Sequence, residues 1–78
     1  MDRLESLALN NQGFVFDPAT GNSFTLNHSG MLLVKGLREG LDQGDLATRL
    51  ADTYTIPLEQ ARSDVADFIR DLARLGLT

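Results

Sequence analysis

The sequence predicts an α+β fold: a three-stranded antiparallel β-meander followed by a three-helix, winged-helix-like bundle, in the order βββααα. Three observations carry this. The first 26 residues alternate and turn as strands do. The remainder repeats its apolar residues in steps of three and four. No linker, internal repeat or low-complexity stretch separates the two halves. At 78 residues the chain reads as one domain, 1–78. A domain of this size buries roughly 60–65% of its unfolded surface, close to the lower limit for folding without a staple. With no cysteine the core must form by apolar packing, for which a hydrophobic content of 42% suffices.

Leu4–Leu9 is the weakest element, a first strand in which Leu7 and Leu9 share a face and Leu4 does not. Asn10-Asn11-Gln12-Gly13 tolerates positive φ and makes a hairpin turn. Phe14-Val15-Phe16 has the aromatic and β-branched character of a strand. In Asp17-Pro18-Ala19-Thr20-Gly21, Asp and Pro suit the first two positions of a type I turn, and Gly21 suits a left-handed residue after it. Asn22–Leu26 is the third strand, with Phe24 and Leu26 on one face and Ser23 and Thr25 on the other.

Asn27 and Ser29 are both competent N-caps for a helix spanning about Ser29 to Glu39. Its stripe is Met31, Val34, Leu37 and Leu41, widened by Leu33. Gly36 weakens the helix by about 1 kcal/mol relative to Ala but permits a close neighbour, and Gly40 suits the C-terminal cap. Asp42-Gln43-Gly44-Asp45 opens a short second helix that ends near Tyr54, with Leu46, Ala47, Leu50, Ala51 and Tyr54 on its buried face. Pro57 suits the first position of a third helix reaching Leu75. That helix has the cleanest period: Leu58, Ala61, Val65, Phe68, Leu72 and Leu75. Gly76 ends it, and Leu77 is placed to fold back in a Schellman-type terminus.

Composition and motifs narrow the function. A formal charge of −4, from seven basic and eleven acidic residues, is poorly matched to phosphates. The third helix, the one a DNA-binding winged helix would insert, carries Glu59, Asp64, Asp67 and Asp71 against Arg62, Arg70 and Arg74. No apolar run approaches bilayer length and the N-terminus has no basic n-region, so the expected setting is the cytoplasm. His28 is the one histidine and has no third group with which to form a catalytic triad. No zinc or EF-hand spacing occurs, and the glycines form no phosphate loop. The expectation is a protein with no catalytic residue, metal or cofactor. The third strand stands out instead. In a sequential meander it has one free edge, and neither Pro nor Lys blunts it. Such an edge either receives a partner strand or is merely short, or covered by a helix, and the pattern leaves these readings open.

These residues bear a family resemblance. FDPATGNSFTLNHSGMLLVKGL, followed by GDLATRLADTYTIPLEQARSDVADFIRDLARLGL, resembles the PqqD family, small peptide chaperones of pyrroloquinoline quinone biosynthesis. The same module is known as the recognition element of ribosomally made, post-translationally modified peptides (RiPPs). The matching features are Leu26-Asn27, Gly30, Leu50-Ala51 with Tyr54, Pro57, Asp64-Val65, Phe68 and the run from Leu72 to Leu77, over roughly residues 13–77. Val34 departs from the pattern, standing where many relatives carry an aromatic. The FDPATGNSFTLN segment looks like a branch linked to an HPr-kinase-related gene system.

The resemblance implies that a precursor's leader peptide adds as a further strand to the third strand, in a cleft beside the third helix. It also implies that the domain does no chemistry and delivers the peptide to a modifying enzyme, such as a radical S-adenosylmethionine protein or a kinase-like neighbour. Ser23, Phe24, Thr25 and Leu26 would then supply the main-chain ladder. Arg62, Val65, Ala66 and Ile69 would form the opposite wall, with Arg62 available to an acidic leader residue. The expected state is a monomer or weak homodimer that binds neither nucleic acid nor membrane. The alternatives are a protein–protein adaptor or a winged-helix transcriptional regulator.

Overall fold

Both predicted turns join paired strands, Asn10–Gly13 between the first pair and Asp17–Gly21 between the second. In the computed structural model, which describes residues 2–77, the order is α1 (Asp2–Glu5), β1 (Ala8–Leu9), β2 (Phe14–Asp17), β3 (Asn22–Thr25), α2 (His28–Arg38), α3 (Gln43–Tyr54) and α4 (Leu58–Arg74). The strands form one antiparallel sheet in the order β1-β2-β3. The predicted arrangement of three strands before three long helices is present. The Asp17 turn holds as its residues suggest. The Asp17 carbonyl accepts from Thr20 N–H at 3.3 Å and Gly21 N–H at 2.8 Å, and Gly21 sits at φ +77°. The Asp17 carboxylate is buried and accepts from Ala19 N–H at 3.0 Å and the Thr20 hydroxyl at 3.1 Å.

The expected first strand is replaced over its first half. Asp2–Glu5 is a helical turn, and only Ala8–Leu9 pairs with β2. Leu4 and Leu7 are both buried, and Leu7 N–H donates to the Leu4 carbonyl at 3.3 Å. Two leucines three apart fall on one side of a helical turn but on opposite faces of a strand, so burying both selects the turn.

The helices follow their caps. Asn27 Oδ1 accepts from Gly30 N–H at 2.8 Å and caps α2. Asp42 Oδ1 does the same for α3 through Asp45 N–H at 2.8 Å. Two helices end in Schellman geometry. In α2, Gly40 N–H reaches the Leu37 carbonyl at 3.0 Å and Leu41 N–H the Gly36 carbonyl at 3.1 Å. In α4, Gly76 N–H reaches Ala73 at 3.0 Å and Leu77 N–H reaches Leu72 at 2.9 Å, which buries Leu77 against the helix it terminates. α3 ends without glycine, on Thr55 at φ +53°. Gly36 is the close approach anticipated for it: a Cβ there would strike the Leu46 side chain of α3.

The core joins Leu4 and Leu7, Val15 of β2, Leu33 and Leu37 of α2, Leu46, Ala47 and Leu50 of α3, and Ala61, Val65 and Leu72 of α4. Three residues expected inside lie at the surface: Tyr54, Leu58 and Leu75, the last 56% exposed. Tyr54, the last residue of α3, borders a surface cavity with His28, and Leu58, the first of α4, borders a shallow depression with Ala51 and Thr55. At the far end of α4 the returning Leu77 takes the buried place that periodicity assigned to Leu75.

Candidate functional site

β3 is an edge strand, and its outer border follows from the register. Leu26 N–H donates to the Gly13 carbonyl at 2.8 Å, which starts the ladder between β2 and β3. In an antiparallel pair, residues that bond to the partner alternate with residues that do not. Counting back from Leu26, Phe24 and Asn22 point their backbone groups at β2, opposite Val15 and Asp17. Ser23 and Thr25 therefore turn theirs outward. Both are exposed, and no strand pairs with that border among the described residues.

The two faces of the sheet differ. Leu9, Val15 and Phe24 align across the strands on the inner face and join the core. On the outer face Phe16 stands between Ala8 and Ser23, and Phe14 opposite Thr25, the two residues being 45% and 56% exposed respectively. A strand added beside β3 would thus send alternate side chains toward the helices and toward this aromatic face.

A groove of about 590 Å³ opens where β3 ends. Asn27, His28, Ser29 and Gly30 form its near rim. Leu33, Leu50 and Ile56 contribute an apolar floor, and Gln60, Asp64 and Phe68 of α4 form the far wall. Tyr54 and His28 separate it from a smaller recess of about 320 Å³ against the Asn11–Gly13 turn. The rim is positioned by the chain's abrupt change of direction. Leu26 is held to Gly13, Asn27 caps α2, and no residue intervenes. Gly30 keeps this corner tight, since a Cβ there would come to 3.1 Å from Asn27 Oδ1.

The residues singled out from sequence separate into two sets. Ser23, Phe24, Thr25 and Leu26 form the edge strand and its exit to the groove, Phe24 and Leu26 being half-buried on the inner side. On α4, Val65 is 1% exposed and belongs to the core. Arg62 and Ala66 are exposed and Ile69 is half-buried against the core. None of these four lines the groove. At about 100° per residue, Arg62, Ala66 and Ile69 lie on one flank of the Ala61–Val65–Leu72 stripe, while Gln60, Asp64 and Phe68 lie on the other. Exposed Leu75 continues the Phe68 side. The signal for this flank was present in the sequence as a large aromatic at the border of the stripe. Which flank faces the groove depends on how α4 crosses α2 and α3, a long-range property that helical periodicity does not encode.

Electrostatic contacts on α4 are exposed pairs within the helix. Arg70 reaches Asp67 at 3.3 Å and Arg74 reaches Asp71 at 3.4 Å, each contributing well under about 1 kcal/mol. Among the described residues, no group of three His, Cys, Asp or Glu side chains is placed to hold a metal ion, and no helix is long and apolar enough to cross a membrane.

A short meander packed on three helices, with one sheet border open and a groove at its end, defines a class of small α+β recognition domains. The chain belongs to the PqqD family: the family model described as coenzyme PQQ synthesis protein D matches residues 12–77. Among curated proteins, none matches. Two solved structures are similar. A lasso peptide synthetase B1 complexed with the leader peptide shares 27% identity and a TM-score of 0.80, covering 92% of this chain and 86% of its own. TbiB1 in complex with the TbiA(beta) leader peptide shares the fold at 24% identity and a TM-score of 0.81, over 91% and 84% of the two chains.

Proposed function

We propose that this protein is a non-catalytic carrier that takes the leader segment of a precursor peptide as a fourth strand on β3 and presents it to a modifying enzyme. The outward backbone groups of Ser23 and Thr25, next to the groove, carry the reading. The leader-bound state of the similar lasso peptide synthetase B1 supports it.

The energetics divide between backbone and side chains. Two N–H and two C=O groups offer up to four hydrogen bonds, each contributing about 1 kcal/mol net. Ordering each leader residue costs about 1–2 kcal/mol, so the ladder alone does little more than set direction and register. Net affinity comes from side chains. An aliphatic or aromatic residue buried over Leu33, Leu50, Ile56 and Phe68 contributes about 1.5–3 kcal/mol. Such a division suits moderate affinity and rapid release, as a carrier requires. The modifying enzyme would be a radical S-adenosylmethionine protein or a kinase-like partner, acting with this chain in the cytoplasm.

The test is titration of ¹⁵N-labelled protein with leader peptides of precursor genes neighbouring its own. Amides of Ser23, Thr25, Gly30 and Phe68 should shift together. A leader N-methylated at the positions paired with Ser23 and Thr25 should lose binding. Shifts that spare β3, or an N-methylated leader that binds unchanged, would refute strand addition.

A further inference from the structure

On the side of α2 away from the groove lies a further depression, of about 600 Å³, lined by Leu9, Leu32, Lys35, Arg38, Glu39 and Arg49. At about 100° per residue, Leu32, Lys35 and Glu39 fall opposite Gly30 and Leu33, which face the groove. The two cavities therefore flank one helix without sharing a lining residue.

The local charge runs against that of the whole chain. Three cations and one carboxylate give 3 − 1 = +2 around this depression, on a protein of formal charge −4. Arg49 is committed to Glu39 at 2.8 Å, and Arg38 reaches the Leu7 carbonyl at 3.5 Å. Lys35 is exposed and has no partner among the described residues. The half-buried Leu9 and Leu32 supply an apolar base between these charged groups. An apolar base ringed by cations matches a ligand that has an apolar side chain flanked by carboxylates. A nucleic acid would present a row of phosphates and would meet Asp45 and Asp52 of α3, which border a neighbouring depression together with Arg49.

We propose that this depression docks an acidic segment of a second protein, anchored by an aliphatic or aromatic side chain between Leu9 and Leu32 and held by Lys35. Leu32 and Lys35 also border the smaller recess beside the groove, but no residue of this depression lines the groove itself, so both sites are open at once and the inference does not depend on what the groove binds.

A helix-forming Leu/Glu peptide and its Leu/Lys twin serve as probes, titrated into the ¹⁵N-labelled full chain. The Glu peptide should shift Leu9, Leu32, Lys35 and Arg49, with affinity falling as salt rises. Lys35→Glu should weaken it about five- to tenfold and Lys35→Gln by less, with the remaining spectrum unchanged as the check on folding. The proposal is overturned if the Lys twin binds as well, if the shifts fall on β3 and Phe68, if Lys35→Glu has no effect, or if the Glu peptide causes no shift. A single-stranded DNA oligomer binding there more tightly than the Glu peptide would also overturn it.

Discussion

Gly13 and Gly21 provide a matched pair for testing how the sheet is locked to the groove. Both have left-handed backbone, at φ +91° and +77°. At Gly21 an added Cβ would meet nothing within 4 Å, whereas at Gly13 it would collide with the Leu26 carbonyl. Gly21→Ala should therefore cost only the left-handed penalty of about 1–2 kcal/mol, offset by about 0.4–1 kcal/mol from the stiffer unfolded chain. The net is about 1 kcal/mol. Gly13→Ala carries the same terms and must also displace Leu26, straining its 2.8 Å bond to the Gly13 carbonyl. That adds about 1–3 kcal/mol, for a total of about 2–4 kcal/mol. A domain of this length has about 4–12 kcal/mol of stability in all, so the difference is readily measured by urea unfolding with the m-value held constant. Equal losses in the two variants would refute the claim that close contact with Leu26, rather than backbone conformation, selects glycine at position 13.

Other outcomes follow from local geometry. Asn27→Ala should lose about 1 kcal/mol by urea unfolding, because Gly30 N–H loses its acceptor. Thr55→Gly should gain about 1 kcal/mol, relieving a β-branched residue at φ +53°, and a Tm that fails to rise would contradict that strain. Leu77→Ala should cost about 2–3 kcal/mol while Leu75→Ala changes stability by less than about 0.5 kcal/mol, since only the former is buried; thermal unfolding of the pair checks this. Phe68→Ala should weaken leader binding more than Arg62→Ala, as measured by calorimetry, because Phe68 lines the groove and Arg62 does not.

How much could be read in advance varied with the range of the interactions involved. Asp17-Pro18 with Gly21, Asn27 before α2, and Gly76-Leu77 after α4 each settle structure within four or five residues, and each does so as its side chains suggest. The β3 edge was legible for the same reason, since a meander joined by short turns leaves its last strand at the border. Leu4–Leu9 was ambiguous because six residues suit either a strand or a helical turn followed by a bridge. The outcome turned on Leu4 and Leu7 both reaching the core. The groove wall was out of reach for another reason. Val65, Phe68 and Ile69 are all apolar and adjacent on the helical wheel, and only the crossing of α4 over its neighbours decides which of them is core, wall or flank.

The junction at Leu26-Asn27 has a kinetic consequence. Hydrogen bonds fix β3 to β2 at both ends, from Gly21 to Asp17 and from Leu26 to Gly13, so its open border is held in place before any guest arrives. The backbone that a guest would meet is already fixed, so the conformational toll of ordering a strand falls chiefly on the incoming chain. Association should proceed in a single phase, with a rate linear in protein concentration. A guest cyclised into an extended shape should dissociate more slowly in proportion to the freedom it has already given up.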